Sequence, residues 1–325
     1  MLGEEVEERA PVHADGEDFV KDVDVAALKE RLAGRRVVAS VSGGKDSAAM
    51  SLHLKELEIE HDRVFMDTGW EHEKTYAYLR GPLTEKLGPI HEIRGPYTME
   101  TLVDAKGCFP RRKVRFCTQE LKRKPLCLYV NERVAAGEEI VNSVGIRAEE
   151  SAVRAGFPEW EWEKGKDPLD AEVWRPLLDW TFEDVVAIHA RHGLMPNPLY
   201  LMGASRVGCW PCIYARKDEV LLISKESPER IERIRVMEKT VAEARARRVA
   251  ERGEPEEDQG PSFFGLWSPA LGKRVSAPID EVIEWSKTTH GGVNYALFEP
   301  GPEDEGCMRW GLCDTSPEKG AVKNG

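Results

Sequence analysis

No stretch of this 325-residue chain approaches the roughly 18 uncharged apolar residues that a membrane-spanning helix needs. The segment Met1 to Asp24 is acidic and has no apolar centre. It therefore reads as a disordered segment and not a signal peptide, which leads us to expect a cytoplasmic protein. Positive charge is not in excess either: the formal net charge of −12 argues against wholesale coating of nucleic acid. There is no internal repeat. In a reducing compartment, the seven cysteines point to metal binding or reactivity and not to disulfides. What remains is a 41% apolar chain with many short apolar runs, long enough for one α/β catalytic domain of roughly 200 residues and an extension.

The most informative stretch runs from Arg36 to Met50. The β-branched run Val37 to Val41 predicts a buried strand, broken at Ser42-Gly43-Gly44 and followed by a helix from Ser47 to about Leu57. Adjacent glycines permit a sharp turn and close approach of a ligand to the backbone. A helix starting there offers unpaired amides and its positive dipole end to an anion. Ser42, Lys45 and Ser47 add donors and a charge, so the segment is a phosphate cradle. It is not a Walker A loop, because Lys45 is followed by Asp46.

Further strands are expected at Asp62–Met66, Pro89–Arg94 and Glu139–Gly145, with helices over Glu73–Leu79 (stopped by Gly81-Pro82), Thr118–Ala136 and Thr181 to Gly193. Alternating strands and helices imply a parallel sheet with ligands at the carboxyl ends of the strands. Phe157 to Trp174 is polar, Trp-rich and aperiodic, and reads as an insertion loop. Ser227-Pro228 opens a long charge-laced helix to about Arg252. The expected organisation is a disordered segment over 1–30, a nucleotide-binding catalytic domain over 31–225, a mainly helical extension over 226–313 and a tail over 314–325.

Four motifs occur in order: Ser42–Ser47; Asp67-Thr68-Gly69 with Glu71 and Thr75; Gly145-Ile-Arg-Ala-Glu-Glu-Ser151 with Arg154; and Asn197-Pro-Leu-Tyr200 with Arg206-Val-Gly-Cys209. Together they resemble the phosphoadenosine phosphosulfate reductase family, which includes adenylyl-sulfate reductases and the ATP pyrophosphatase of DNA phosphorothioation. The first motif resembles the PP-loop of enzymes that cleave ATP between its α and β phosphates. The resemblance implies an adenine nucleotide α-hydrolase-like, Rossmann-like parallel sheet flanked by helices. It also implies ATP with Mg²⁺ as cofactor, held by Ser42, Gly43, Gly44, Lys45, Asp46, Ser47, Asp67, Gly145 and Arg147. Lys45, Asp46, Arg147 and Arg154 are then the catalytic candidates, the arginines as bidentate clamps on phosphate or sulfate. Ordinary ion pairs of Arg147 and Arg154 with Glu149 or Glu150 are the plainer alternative. The reductases resemble one another in a C-terminal Glu-Cys-Gly-Leu/Ile-His that this chain lacks, having Cys307 and Cys313 in its place.

Cys209-Trp-Pro-Cys212 admits a structural zinc knuckle, a redox dithiol or a cluster. The resemblance favours a 4Fe–4S cluster on Cys117, Cys209 and Cys212, completed by Cys307 or Cys313, with Cys108 in reserve. Cys127, within an apolar helix pattern, is expected to be a core residue. Trp70, Trp210 and His72 are weaker candidates for substrate contact. Lys106 to Lys124 holds Arg111, Arg112, Lys113, Arg115, Lys122 and Arg123 against the single acid Glu120. It is either a solvated face or a guide for a polyanionic substrate. The implied partners are an adenine nucleotide and a sulfur donor protein or reductant. Rival readings are a thiol-dependent adenylyl-sulfate reductase and a non-catalytic nucleotide-sensing subunit.

Overall fold

The computed structural model describes residues 23–162, 169–252 and 261–288. Residues 23–33 form a unit of their own around helix α1 (Val25–Leu32). The Asp24 carboxylate accepts the Ala27 amide at 3.0 Å and so caps this helix. The expected disorder through residue 30 is therefore corrected from Asp24 onward: an aspartate cap precedes Val25, Leu28 and Leu32 at helical spacing.

The second unit begins at Gly34. Its main sheet has six strands: β1 (Arg35–Ser40), β2 (His61–Met66), β3 (Ile90–Ile93), β4 (Glu139–Ser143), β5 (Trp160–Trp162) and β6 (Glu172–Trp174). They lie in the order β3-β2-β1-β4-β6-β5, all parallel except β5, which runs antiparallel to β6. The central strand β1 buries Val37, Val38 and Ala39, as a strand covered on both faces must. Val37 is paired with His61 on one side and Val141 on the other. After β3 the chain returns to the opposite side of β1, so β1 and β4 diverge at a topological switch point. Ligands of open α/β sheets bind in the crevice at such a point. The loops leaving β1 and β4 are Ser42–Ser47 and Gly145–Arg154.

Helix α2 (Lys45–Glu56) follows β1, and α3 (Glu73–Tyr78) follows β2. Gly81-Pro82 does not stop the second helical run as expected. The backbone widens into a π turn over Leu79–Leu83 and continues as a helix over Thr84–Leu87, with the Thr84 hydroxyl donating to the Leu79 carbonyl at 2.7 Å. Helix α4 (Met99–Lys106) leads into the basic loop. Residues 116–135 are helical, interrupted by a second π turn over Gln119–Arg123 and completed by α5 (Lys124–Ala135). Thr181 caps α6 (Phe182–Arg191) with a reciprocal Asp184 box, as its sequence predicts.

The expected insertion loop over 157–174 is corrected, because it carries β5 and β6. Trp160 lies opposite Trp174 in the ladder and stacks on it at 4.9 Å. This cross-strand aromatic pair is a stabilisation that no periodicity reports.

Beyond α7 (Lys217–Glu226), helix α8 (Pro228–Arg252) runs as expected. A hairpin of β7 (Phe264–Ser268) and β8 (Lys273–Ala277) and helix α9 (Ile279–Ser286) follow. Among the described residues the extension is mainly helical, with the hairpin as an unforeseen addition. It is not separated from the catalytic domain at residue 225. Ile231, Ile234, Phe263 and Ile279 share one hydrophobic core with Trp70, Leu102 and Trp210.

Candidate nucleotide and thiol site

The turn after β1 is built by its own serines. The Ser42 amide donates to Ser47 Oγ at 3.1 Å, the Gly44 amide to Ser42 Oγ at 3.4 Å, and the Ser47 hydroxyl to the Gly44 carbonyl at 2.9 Å. Gly43 turns the chain at φ 73°, in the left-handed region that favours glycine. Gly44 then starts α2 as an N-cap that supplies no side-chain hydrogen bond of its own. The first turn of a helix is where an anion is best received.

Three other segments hold this loop. The Lys45 amide donates to the Tyr200 hydroxyl at 3.2 Å, and Asn197 Nδ2 donates to the Gly43 carbonyl and to Thr75 Oγ1, both at 3.2 Å. His189 Nε2 lies 3.0 Å from the Lys45 carbonyl. From the other lip, Gly145 packs so closely that a Cβ there would stand 2.8 Å from the Asp46 carbonyl oxygen.

The charged residues form a chain across the switch point. Lys45 Nζ lies 2.8 Å from Asp46 Oδ2, and near the rings of Phe182 and Tyr200 at 5.9 and 5.6 Å. Asp46 Oδ1 accepts from Arg147 Nε at 2.7 Å. Burial alone would raise the Asp46 carboxyl, but Lys45 and then Arg147 outweigh it and hold the group below the ordinary carboxylate range. Arg147 is buried, and its other arm pairs with Glu149. Glu150 accepts the Arg147 amide at 3.1 Å and also pairs with the half-exposed Arg154. The expected ion pairs and the expected approach of Arg147 to the phosphate loop thus coexist. Arg154 reaches that network only through Glu150.

Asp67 belongs to a different network. Its carboxylate accepts the Gly69 amide at 2.8 Å, the Tyr76 hydroxyl at 2.7 Å and the Arg94 guanidinium. Burial would raise its pKa, but these donors hold it below normal. The same Tyr76 hydroxyl stands 3.1 Å from buried Glu71, so two carboxylates face one phenol, and burial together with their charge pushes Tyr76 up. Both aspartates expected to hold Mg²⁺ are therefore already engaged, and they do not form a ready divalent site.

The thiols converge elsewhere. Glu71 and Cys209 are bridged by backbone, and the Thr68 hydroxyl lies 3.8 Å from Cys209 Sγ. The second π turn, closed by the Lys124 amide on the Gln119 carbonyl, contains Lys122 and follows directly on Cys117-Thr118. The Lys122 ammonium sits within electrostatic reach of Cys117, Cys209 and Cys212 together, and chiefly Cys209 raises its pKa. Burial pushes the Cys209 thiol up to about 11, with Lys122 opposing that rise. Among the described residues no three His, Cys, Asp or Glu side chains are close enough to share a metal ion. This arrangement disfavours a zinc knuckle built from them alone. Cys307 and Cys313 lie outside the described residues. Cys108 is half-buried in the loop after α4, and Cys127, expected in the core, is only partly buried and packs against a core cluster that includes Val38, Val64 and Ile140.

Several lesser candidates are corrected. Trp70 and Trp210 are buried packing residues, Trp70 stacked on Phe263 at 5.9 Å with Arg230 at 4.3 Å from its ring. They offer no platform for a base. His72 caps α3 by accepting the Lys74 amide at 2.9 Å. Sequence reasoning missed His189, Arg94 and the role of Lys122. A buried histidine on an amphipathic helix and one lysine among eight cations carry no local signal of their task.

Among the described residues no helix is long and apolar enough to cross a membrane. Residues 36–215 match the phosphoadenosine phosphosulfate reductase domain. The chain is 33% identical to an uncharacterised 37.8 kDa protein of Escherichia phage 186, covering 80% of this chain and 91% of that one. It is 50% identical to an adenosine 5′-phosphosulfate reductase of Deinococcus radiodurans over 47% of this chain and 57% of the relative. A second reductase of that name, from Mesorhizobium japonicum, is 27% identical over 54% of this chain and 65% of its own length. The chain thus spans less than two thirds of these reductases. A solved phosphoadenylyl-sulfate reductase from Candida auris, in complex with phosphate, is 18% identical, with a TM-score of 0.45, covering 57% of this chain and 87% of that one. The domain match, over more than half of the sequence and across both lips of the switch-point crevice, shows that this chain belongs to the phosphoadenosine phosphosulfate reductase family.

Proposed function

We propose that this protein is an ATP-pyrophosphatase-type adenylating enzyme that serves sulfur transfer with an iron–sulfur cluster. The observation that carries the reading is the start of α2 behind Gly43-Gly44, which its own N-cap residue leaves without a side-chain cap, with Lys45 beside it and Gly145 pressed against the loop from the opposite lip. The intact Lys45-Asp46 pair, tied to Arg147, favours ATP as the nucleotide and disfavours a purely sensing subunit. The loop amides and Lys45 receive the phosphates. Arg147, held by Asp46 and Glu149, stabilises charge as a substrate oxygen attacks the α-phosphorus and the bond to the β-phosphate oxygen breaks, releasing pyrophosphate.

Metal in the phosphate region has no ready ligand in Asp46 or Asp67, and no step is assigned to it. A cluster would be held by Cys117, Cys209 and Cys212 with a fourth thiolate from Cys307 or Cys313. Bound there, it would supply a polarised iron–thiolate surface for sulfur chemistry. Lys122 would balance the negative charge of its thiolates, and Thr68 would orient Cys209. The named reductase relatives favour a second reading, thiol-dependent reduction of adenylyl sulfate with Cys307 or Cys313 as nucleophile.

Two assays on anaerobically purified protein separate them: pyrophosphate release from ATP, and thiol-dependent sulfite release from adenylyl sulfate. Lys45→Ala should weaken ATP binding by about 1.5–3 kcal/mol, the worth of a hydrogen bond to a charged group. Unchanged ATP affinity by calorimetry in that variant sinks the assignment of the loop.

A further inference from the structure

A second concavity lies away from the phosphate loop, between the basic loop before Cys117 and the C-terminal hairpin, with a volume of about 630 Å³. Three separate segments turn cations into it. Arg111, Arg112 and Lys113 come from the loop, Arg216 and Lys217 from the start of α7, and Arg274 from β8. No carboxylate is among the described residues that line it. In a chain of net charge −12, six cations on one described wall, of which Arg216 pairs with Asp218 at 2.9 Å, are a local reversal of the protein's own field.

Aromatic side chains complete the wall. Trp285 and Phe264 are only partly buried, and Lys217 lies 5.0 Å over the Trp285 ring while bonded to Thr288 at 2.6 Å. Just outside, Tyr214 gathers the guanidinium groups of Arg112, Arg115 and Arg206 at 5.5, 5.3 and 5.9 Å. Like charges stacked on one ring repel one another, and an anionic chain laid across them relieves the repulsion.

We infer that this cleft binds single-stranded nucleic acid. Cations spread over three segments match a run of phosphates better than one phosphate group. Aromatic rings lining a concave wall match bases that are splayed out, which a duplex keeps stacked inside. The loop side of the cleft continues into Cys117 and the α7 side follows directly from Cys212, so a bound strand would pass beside the thiols. The inference stands apart from the chemistry proposed at the phosphate loop.

Fluorescence anisotropy with the full chain, a labelled oligothymidylate and a duplex of equal length tests it, titrating NaCl between roughly 50 and 200 mM. The single strand should bind in preference to the duplex, with log affinity falling linearly in log salt by up to about −0.7 for each phosphate neutralised. The triple change Arg112→Glu, Lys113→Glu and Arg274→Glu should flatten that slope, whereas exposed Lys239→Glu on α8 should not. Trp285→Leu should weaken binding about tenfold with little change of slope, the mark of lost stacking. ATP affinity, measured by calorimetry on the same variants, should be untouched, so a failure of the cleft is distinct from a failure of the phosphate loop. No binding at the lowest salt, an equal affinity for duplex, or a slope insensitive to the triple change each overturns the inference. If the triple variant does not fold, the strand preference and slope of the native chain decide.

Discussion

Replacing Arg147 with Met removes the guanidinium that meets Asp46 at 2.7 Å from the far side of the switch point, while leaving most of the side-chain volume in place. Stripping one partner from a buried ion pair costs about 3–5 kcal/mol when the remaining charge is left alone. Here it is not left alone, because Lys45 Nζ stays 2.8 Å from Asp46. Glu149, the other partner, is half-exposed and regains water. The loss should therefore be that of a hydrogen bond to a charged group, about 1.5–3 kcal/mol at neutral pH. Its pH dependence has a definite sign. Asp46 is held below its unfolded value, so its contribution is present above the ordinary carboxylate pKa of ~3.9 and is lost as pH falls through the depressed folded value. Arg147→Met weakens that depression, so the gap between native and variant should be widest at neutral pH and close in acid. Urea unfolding at pH 7 and at several points below ~4 measures it. A gap of the same size at every pH would refute the claim that Arg147 acts through the Asp46 charge.

Gly145→Ala sets a methyl group 2.8 Å from the Asp46 carbonyl, so the phosphate loop must shift. A cost of about 1–3 kcal/mol in stability, with a matching fall in ATP affinity, is expected from thermal melts and calorimetry. Lys122→Met removes the charge that opposes the burial shift of Cys209. In metal-free protein the midpoint of Cys209 alkylation, followed by mass spectrometry against pH, should move above about 11. An unmoved midpoint would mean Lys122 does not sense that thiol. Cys209→Ser, purified without oxygen, should lose the broad visible absorbance and acid-labile sulfide of an iron–sulfur cluster; a colourless native protein carrying one zinc would contradict the cluster.

How much of this was legible depended on where the stabilisation sits. β1 to β4 were readable because buried parallel strands are written as β-branched runs, as in Val37-Val38 and Ile140-Val141. β5 and β6 were not, because strands of three residues held by a Trp160–Trp174 stack have no period to detect. The hairpin did carry a signal, Pro269 and Gly272 between two short runs, the latter at φ 58°. The phosphate loop could be read residue by residue because its chemistry is local. Asp67 could not: its partner Arg94 lies at the end of another strand, and only the β2–β3 pairing brings them together. The shared core of Trp70 and Ile231 likewise exists only in three dimensions, which is why a domain boundary at residue 225 looked reasonable in one.

The π turn over Gln119–Arg123 has an evolutionary corollary. Such a turn is what one inserted residue leaves behind when a helix keeps its ends in place. Deleting a single residue there would restore an ordinary helix without a net change in fold. The flanking helix would keep its place, and only the residues inside the turn would change the direction they face. Lys122 lies inside that turn, so its approach to the thiols would change. A relative with the same strands and the same phosphate loop but one residue fewer in this segment would therefore offer the three thiols a different side chain where Lys122 now stands. The length of this segment, more than the identity of any residue in it, would mark which descendants kept the pairing.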